Sequence, residues 1–352
     1  KFGGTSVADP ENWAGIAEVL RARQSEGLRP VLVHSALSGV SDRLERLARL
    51  PDDLEREAIV GQIEERHAAL LAGLGLESPP ELTPRLQEVG RLANGLALTG
   101  EVSAPLEARL LALGELMASA IICAYLAQQG FDVLNPDARQ VLTSRRTYTA
   151  HDPRRFLSAV CDSDFDDRLC ADWAAHSGII VTQGFIASDD RGRTVVLGRG
   201  GSDTSAAYFA ARLRAERLEI WTDVPGMFSA NPRIIPSARL LRQLSFDEAQ
   251  EIAATGGKVL HPRCLAVARH SGTPVHVLET RRPHVEGTIV SAVGDTQGPR
   301  IKAISARQGL TLVSMESLGM WRESGFLAKV FRVFAELDLS IDLVSTSESV
   351  VT

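Results

Sequence analysis

Short apolar runs alternate along this chain with longer segments in which apolar residues recur every three or four positions. Residues 30–34 give the first run, with Val31, Leu32 and Val33 behind Pro30 and a Ser/Gly turn after His34, as in a buried strand. Further runs fall at 131–134, 178–182, 195–197, 218–222 and 274–278. Helical spacing covers 8–23, 116–129, 203–215, 245–254 and 262–271. The stretch 41–113 is mostly helical, with stripes such as Leu44, Leu47, Leu50 and Leu106, Leu110, Leu113, and it breaks at Ser78-Pro79-Pro80. This alternation predicts an α/β fold whose largely parallel sheet is covered on both faces, with ligands at the carboxyl ends of the strands.

Around 291–299 the chain turns to Gly, Asp, Thr and Pro, which reads as a linker. Beyond it, 310–317 is strand-like, 325–337 has helical spacing through Leu327, Val330, Phe331, Phe334 and Leu337, and 340–346 alternates again. The expected division is a large domain over 1–293, a linker over 294–308 and a small βαβ unit over 309–352. At 352 residues and 44% hydrophobic content, the chain can bury more than one core. Its net charge of -6 speaks against general nucleic-acid binding. Positive charge for an anionic substrate must then be local, which singles out Lys1, Arg199, Arg233 and Lys258. Cys123, Cys161, Cys170 and Cys264 form no C-x-x-C and no metal-ligand spacing, so they read as reduced thiols of a cytoplasmic protein, and no protein metal site is expected. No apolar run approaches about 18 residues and no signal peptide is visible, so no membrane partner is expected. The chain opens on a motif instead of methionine and reads as a piece of a longer protein.

The candidate chemistry lies in two glycine-rich segments. Gly198-Arg199-Gly200-Gly201-Ser202-Asp203-Thr204-Ser205 runs into an Ala-rich helix, and unpaired N–H groups at such a helix start attract an anion that glycine lets approach closely. A plain capped loop would look similar. The segment is no Rossmann fingerprint, because Asp203 stands where the third glycine would be, and no G-x-x-x-x-G-K-[ST] P-loop occurs. The second segment, Lys1-Phe2-Gly3-Gly4-Thr5-Ser6-Val7, couples a mobile ammonium to two glycines and two hydroxyls. Alone it would read as a surface lysine beside a strand-to-helix turn.

Further segments follow in a fixed order: Ser35-Ala36-Leu37-Ser38-Gly39-Val40-Ser41, Gly114-Glu115-Leu116-Met117, Gln183-Gly184-Phe185, Trp221-Thr222-Asp223-Val224-Pro225-Gly226 and Gly257-Lys258-Val259-Leu260-His261-Pro262. With the two glycine-rich segments they resemble, over nearly the whole chain, the aspartate kinases of the amino-acid kinase superfamily. The resemblance implies a three-layer αβα sandwich followed by a partial, ferredoxin-like ACT domain, truncated here, of the lysine-sensitive type. The implied reaction moves the γ-phosphoryl of ATP to the β-carboxylate of L-aspartate. A carboxylate of pKa about 3.9 is already ionised at neutral pH, so no general base is needed, and the enzyme must supply positioning and positive charge.

The resemblance also implies roles. Lys1 stabilises the transferring phosphoryl, aided by Phe2, Gly3 and Gly4, and Asp203 orients Lys1 or the substrate amine. Glu115 takes the α-ammonium of aspartate and Arg199 a carboxylate, with Ser35, Ser41, Phe185, Gly200, Gly201 and Ser202 completing the pocket. Thr222, Asp223, Phe228, Arg233, Lys258 and Val259 match nucleotide positions, and Mg2+ arrives with ATP. Met320, Phe326, Leu327, Asp342, Ser347 and Glu348 match positions that hold L-lysine as effector, in a homodimer or higher homo-oligomer built through the ACT units. Phe228 and Asn231 depart from the family's tyrosine and aspartate, and Glu323 from its serine. His261 is expected to support its loop and not to catalyse. Fusion to a second enzyme domain stays open. Two competing readings remain: a kinase for another small acid, and a non-catalytic amino-acid sensor, which would be expected to lack Lys1 or Arg199.

Overall fold

The computed structural model describes residues 1–49, 53–257, 259–299, 301–306, 309–316, 324–337, 339–341, 343–347 and 350–352. The chain forms two compact units, Lys1–Ser305 and Ala306–Thr352.

The strands of the first unit are β1 (Val31–His34), β2 (Val133–Leu134), β3 (Ile179–Gln183), β4 (Ile186–Ser188), β5 (Thr194–Val196), β6 (Leu218–Thr222), β7 (Gln243–Ser245), β8 (Val275–Glu279) and β9 (Thr288–Ser291). Three of them pair in the order β1-β3-β2, all parallel, and four in the order β6-β8-β9-β7, parallel except for β8 with β9. Phe2 joins the halves, bridging His34 on one side and Trp221 on the other. Its N–H donates to the Val33 carbonyl at 2.9 Å, while the Trp221 N–H donates to the Lys1 carbonyl at 2.8 Å. The Phe2 ring is buried and stacks on Trp221 with centroids 5.6 Å apart. The opening residues therefore fill the centre of the sheet, which carries Lys1 into the middle of the molecule.

All five residues of β3 are buried, which requires cover on both faces of the sheet. Helices Ala104–Gln128 and Gly201–Arg212 supply part of that cover, each packing on β1. Helix Ala104–Gln128 is 25 residues long and contains an 18-residue stretch of mean hydropathy 2.0, long and apolar enough to cross a membrane, but 78% of that stretch is buried inside the protein. It is the central helix of the core. The expectation of no apolar stretch near 18 residues missed this one, because charged residues such as Glu115 break its uninterrupted run while the stretch as a whole stays strongly apolar.

The helix expected over 8–23 is instead a single turn, Gly4–Val7, followed by Asn12–Ser25. Helix Pro262–Ser271 matches its expected bounds, with Pro262 opening it and left-handed Gly272 closing it. Three short strands, β4, β7 and β9, were not signalled by apolar runs. β4 and β5 form an antiparallel hairpin beside the main sheet. The stretch from 294 to 305 belongs to the first unit: Lys302 pairs with Glu248 at 2.7 Å, and the Ile304 N–H donates to the Ser229 carbonyl.

In the second unit, β10 (Met315–Glu316) pairs antiparallel with β11 (Val350–Val351), and helix Phe326–Glu336 starts after left-handed Gly325. Among the described residues of 340–346 no strand of the expected length appears, only a bridge from Thr346 to Val351. Ser345 and Thr352 exchange backbone hydrogen bonds and Ser347 bonds Val350, so the end of the chain folds back on itself as a hairpin. Leu327, Phe331 and Val333 on the helix are exposed.

Candidate active site

The carboxyl ends of β1 and β3, the start of helix Gly201–Arg212 and the chain from Lys1 to Gly4 converge on one locus. Lys1 Nζ lies 2.5 Å from Asp203 Oδ1, and both side chains are largely shielded, at 9% and 16% exposure. Asp203 sits in the first turn of its helix, where a carboxylate also meets the positive end of the helix dipole.

Close backbone approach explains the glycines. A Cβ on Gly4 would lie 2.8 Å from the Ala36 carbonyl oxygen, one on Gly184 2.7 Å from the Ser202 Cβ, and one on Gly201 2.6 Å from the Phe185 ring. Gly200 is left-handed, with φ of 64°, and a Cβ there would strike the His261 ring at 2.2 Å. Phe185 holds a φ of 66°, which is costly for an aromatic residue. Its N–H is tied to Ser205 Oγ at 2.8 Å, and its carbonyl accepts from the Leu197 N–H at 2.8 Å. The sequence-selected residues Phe185, Gly200, Gly201, Ser202 and Asp203 are thus brought against one another. Arg199, in the same turn, is exposed and has no hydrogen-bond or ion-pair partner among the described residues.

Glu115 comes from the middle of helix Ala104–Gln128 and is 2% exposed. Its Oε1 accepts from the Ala36 N–H at 3.2 Å, and its Oε2 is buried without a partner. Burial pushes its pKa up to about 8, against the opposing pull of the backbone N–H of Ala36 and the charge of Lys1. A buried carboxylate with one oxygen unpaired is a site for a cation or a donor. Ser35, one residue before Ala36, donates its N–H to the Phe2 carbonyl, and Ser41 lies in the first turn of helix Val40–Arg49.

Thr222 ends β6, and its hydroxyl donates to Asp223 Oδ1 at 3.1 Å. Phe228 bridges Leu240, and exposed Arg233 follows an Asn231 side chain that accepts its N–H. Val259 is half-buried against the core. Lys258 lies outside the described residues, as do Met320, Asp342 and Glu348. Of the remaining effector candidates, Phe326 and Leu327 begin their helix, and the Ser347 hydroxyl bonds Val350 within its own hairpin.

Two groups escaped the sequence reading. Arg263 donates to the carbonyls of Leu197 and Ala159, both at 2.6 Å, and so pins the chain that leads into Gly198–Gly200. His34 is fully buried and hydrogen-bonded to Ser119. A histidine closing an apolar run was its only signal. His261 caps its helix, its Nδ1 accepting from the Arg263 N–H, and burial lowers its pKa.

Residues 1–279 match the amino acid kinase family. Across 99% of the chain and 76% of its own length, the lysine-sensitive aspartokinase 3 of Escherichia coli is 34% identical. The chain belongs to the aspartokinases. It spans 62% of aspartokinase 3 of Arabidopsis thaliana, which is 30% identical. Two solved structures of E. coli aspartokinase III superpose with a TM-score of 0.82 over 99% of the chain, one in complex with lysine and aspartate and covered to 77%, the other with aspartate and ADP and covered to 76%. The aspartokinase fold is thus an α/β fold with a largely parallel sheet.

Proposed function

We propose that this aspartokinase transfers the γ-phosphoryl of ATP to the β-carboxylate of L-aspartate, with the site residues acting in the roles their places allow. The single observation that carries the reading is the opposed pair of charges at one locus: Lys1 beside Asp203, and the unpartnered Glu115 oxygen behind the Ser35 turn. The Glu115 carboxylate receives the α-ammonium of aspartate and Arg199 its α-carboxylate, which leaves the β-carboxylate to face the phosphoryl donor. Lys1 then turns from Asp203 toward the charge that develops on the transferring group, with the Gly4 amide beside it, the Gly3 N–H being already given to the Trp221 carbonyl at 3.2 Å. Thr222, Asp223, Phe228, Arg233, Lys258 and Val259 form the nucleotide side. Mg2+ arrives with the nucleotide and is held through its phosphates and water.

L-lysine as effector is supported by the E. coli relative named lysine-sensitive, and the same reading places it among Met320, Phe326, Leu327, Asp342, Ser347 and Glu348 and assembles the protein through the second unit. A cytoplasmic location fits the free cysteines, of which Cys161 and Cys264 are buried with thiols held protonated by burial. Coupled ADP-release assays on the full-length protein test the reading. Aspartate is expected to support turnover, glutamate and homoserine not, and lysine to inhibit. Turnover with glutamate alone would overturn it.

Arg199→Lys is expected to raise the KM for aspartate about tenfold with little change for ATP, because lysine keeps the charge but loses the planar fork that grips a carboxylate. Weakened ATP with unaffected aspartate would move Arg199 to the nucleotide side.

A further inference from the structure

The carbonyl of Ser35 and the N–H of Ala36 are the two ends of one peptide group, and both ends are held. The Ala36 N–H donates to Glu115 Oε1 at 3.2 Å. The Ser35 carbonyl lies 3.1 Å from His34 Nδ1. A carbonyl can only accept, so Nδ1 carries the imidazole proton and Nε2 is the acceptor. The Ser119 hydroxyl, 2.8 Å away, must then donate to Nε2. Its oxygen accepts from Gln183 Nε2 at 2.7 Å, and Gln183 Oε1 accepts from the Ala138 N–H at 2.9 Å. Every proton in this buried chain has one assignment. Burial keeps the imidazole neutral, pushing its pKa down to about 4.

The two anchors share a helix. Glu115 and Ser119 are four residues apart on Ala104–Gln128, one turn, and so project from the same face. We propose that Ser119 and His34 are positioning residues that lock the Ser35–Ala36 peptide, and through it hold the Glu115 carboxylate with Oε2 open to the substrate ammonium. Gln183 holds the Ser119 hydroxyl in turn, and its strand pairs in register with His34. The proposal rests on the ammonium-binding role given to Glu115. If the peptide flipped, the Ser35 carbonyl would face the Glu115 carboxylate, and the imidazole N–H would lose its acceptor. A buried chain of hydrogen bonds resists such a change because each bond lost leaves its partner unpaired.

The test combines kinetics with the imidazole spectrum of the full-length protein labelled with 15N-histidine, the His34 signal being identified by its loss in His34→Asn. Wild type is expected to show the Nδ1–H tautomer with a hydrogen-bonded Nε2. Ser119→Ala should shift the Nε2 resonance and raise the KM for aspartate about tenfold, the effect of one lost buried hydrogen bond, with the KM for ATP unchanged. Ser119→Thr keeps the hydroxyl, so this variant should restore the aspartate KM. An Nε2–H tautomer in wild type would overturn the lock even if Ser119→Ala fails to fold. So would a normal aspartate KM in Ser119→Ala, or equal losses for both substrates alongside a lower Tm. Wild type without aspartate-dependent turnover would instead sink the ammonium-binding reading, while the tautomer still judges the lock.

Discussion

Replacing Lys1 by alanine is expected to lower kcat by about 10² to 10³ while changing the KM for aspartate much less. The ammonium is shielded and faces Asp203 at 2.5 Å, so in the resting site its charge is already compensated. Its contribution comes when the phosphoryl group is in flight between two anions and a mobile cation can follow the charge. No neutral side chain replaces that effect. Steady-state kinetics with both substrates varied is the check, and a variant retaining more than half of the wild-type kcat would remove Lys1 from the mechanism.

Glu115→Gln is expected to raise the KM for aspartate about 10²-fold, because a neutral amide in a buried site cannot compensate the substrate's ammonium. The wild-type carboxyl, held up to about 8 by burial, is mostly protonated at neutral pH in the free protein. Aspartate binding needs the carboxylate and should therefore expel a proton. Its kcat/KM should climb with pH and level off above about 8, and binding heats at neutral pH should differ between buffers of different ionisation enthalpy. In Glu115→Gln that difference should vanish. The stability consequence has a definite sign. A folded pKa of about 8 against an ordinary 4.5 means that the folded state binds the extra proton, so this carboxyl's stabilisation is full below 4.5 and is lost as pH rises through 8. Glu115→Gln should therefore melt no lower than wild type, with its margin growing from pH 4.5 to about 8 and levelling off above. A pH-independent aspartate affinity in wild type would place the ammonium elsewhere.

Much of this site was legible because the chemistry is written in short local segments. Gly200, Gly201 and Asp203 adjoin in sequence and remain adjoining in space, and the structure pairs Lys1 with Asp203 across 202 positions because Phe2 fills the centre of the sheet. That insertion has no sequence signal, since one residue bridging two strands leaves no periodicity. Strands β7 and β9 were missed for a similar reason: Gln243 and Ile289 are exposed, and strands of three or four residues carry little pattern. The Ser35–Ala36 lock was invisible because its parts lie on three elements, β1, β3 and helix Ala104–Gln128, whose juxtaposition only the fold supplies. Among the described residues of 340–346, Ser345 pairs locally with Thr352, a hairpin contact that an alternating apolar pattern does not distinguish from a strand.

The central claim is that phosphorus ends on the side-chain carboxylate of aspartate, and trapping the product with hydroxylamine tests it most directly. An acyl phosphate reacts to give a hydroxamate that forms a coloured ferric complex, whereas a phosphate ester or free phosphate does not. The account predicts β-aspartyl hydroxamate formed in step with ADP release, dependent on both ATP and aspartate, and nearly absent in Lys1→Ala. ADP release from aspartate without hydroxamate, or hydroxamate formed equally from glutamate, would contradict it.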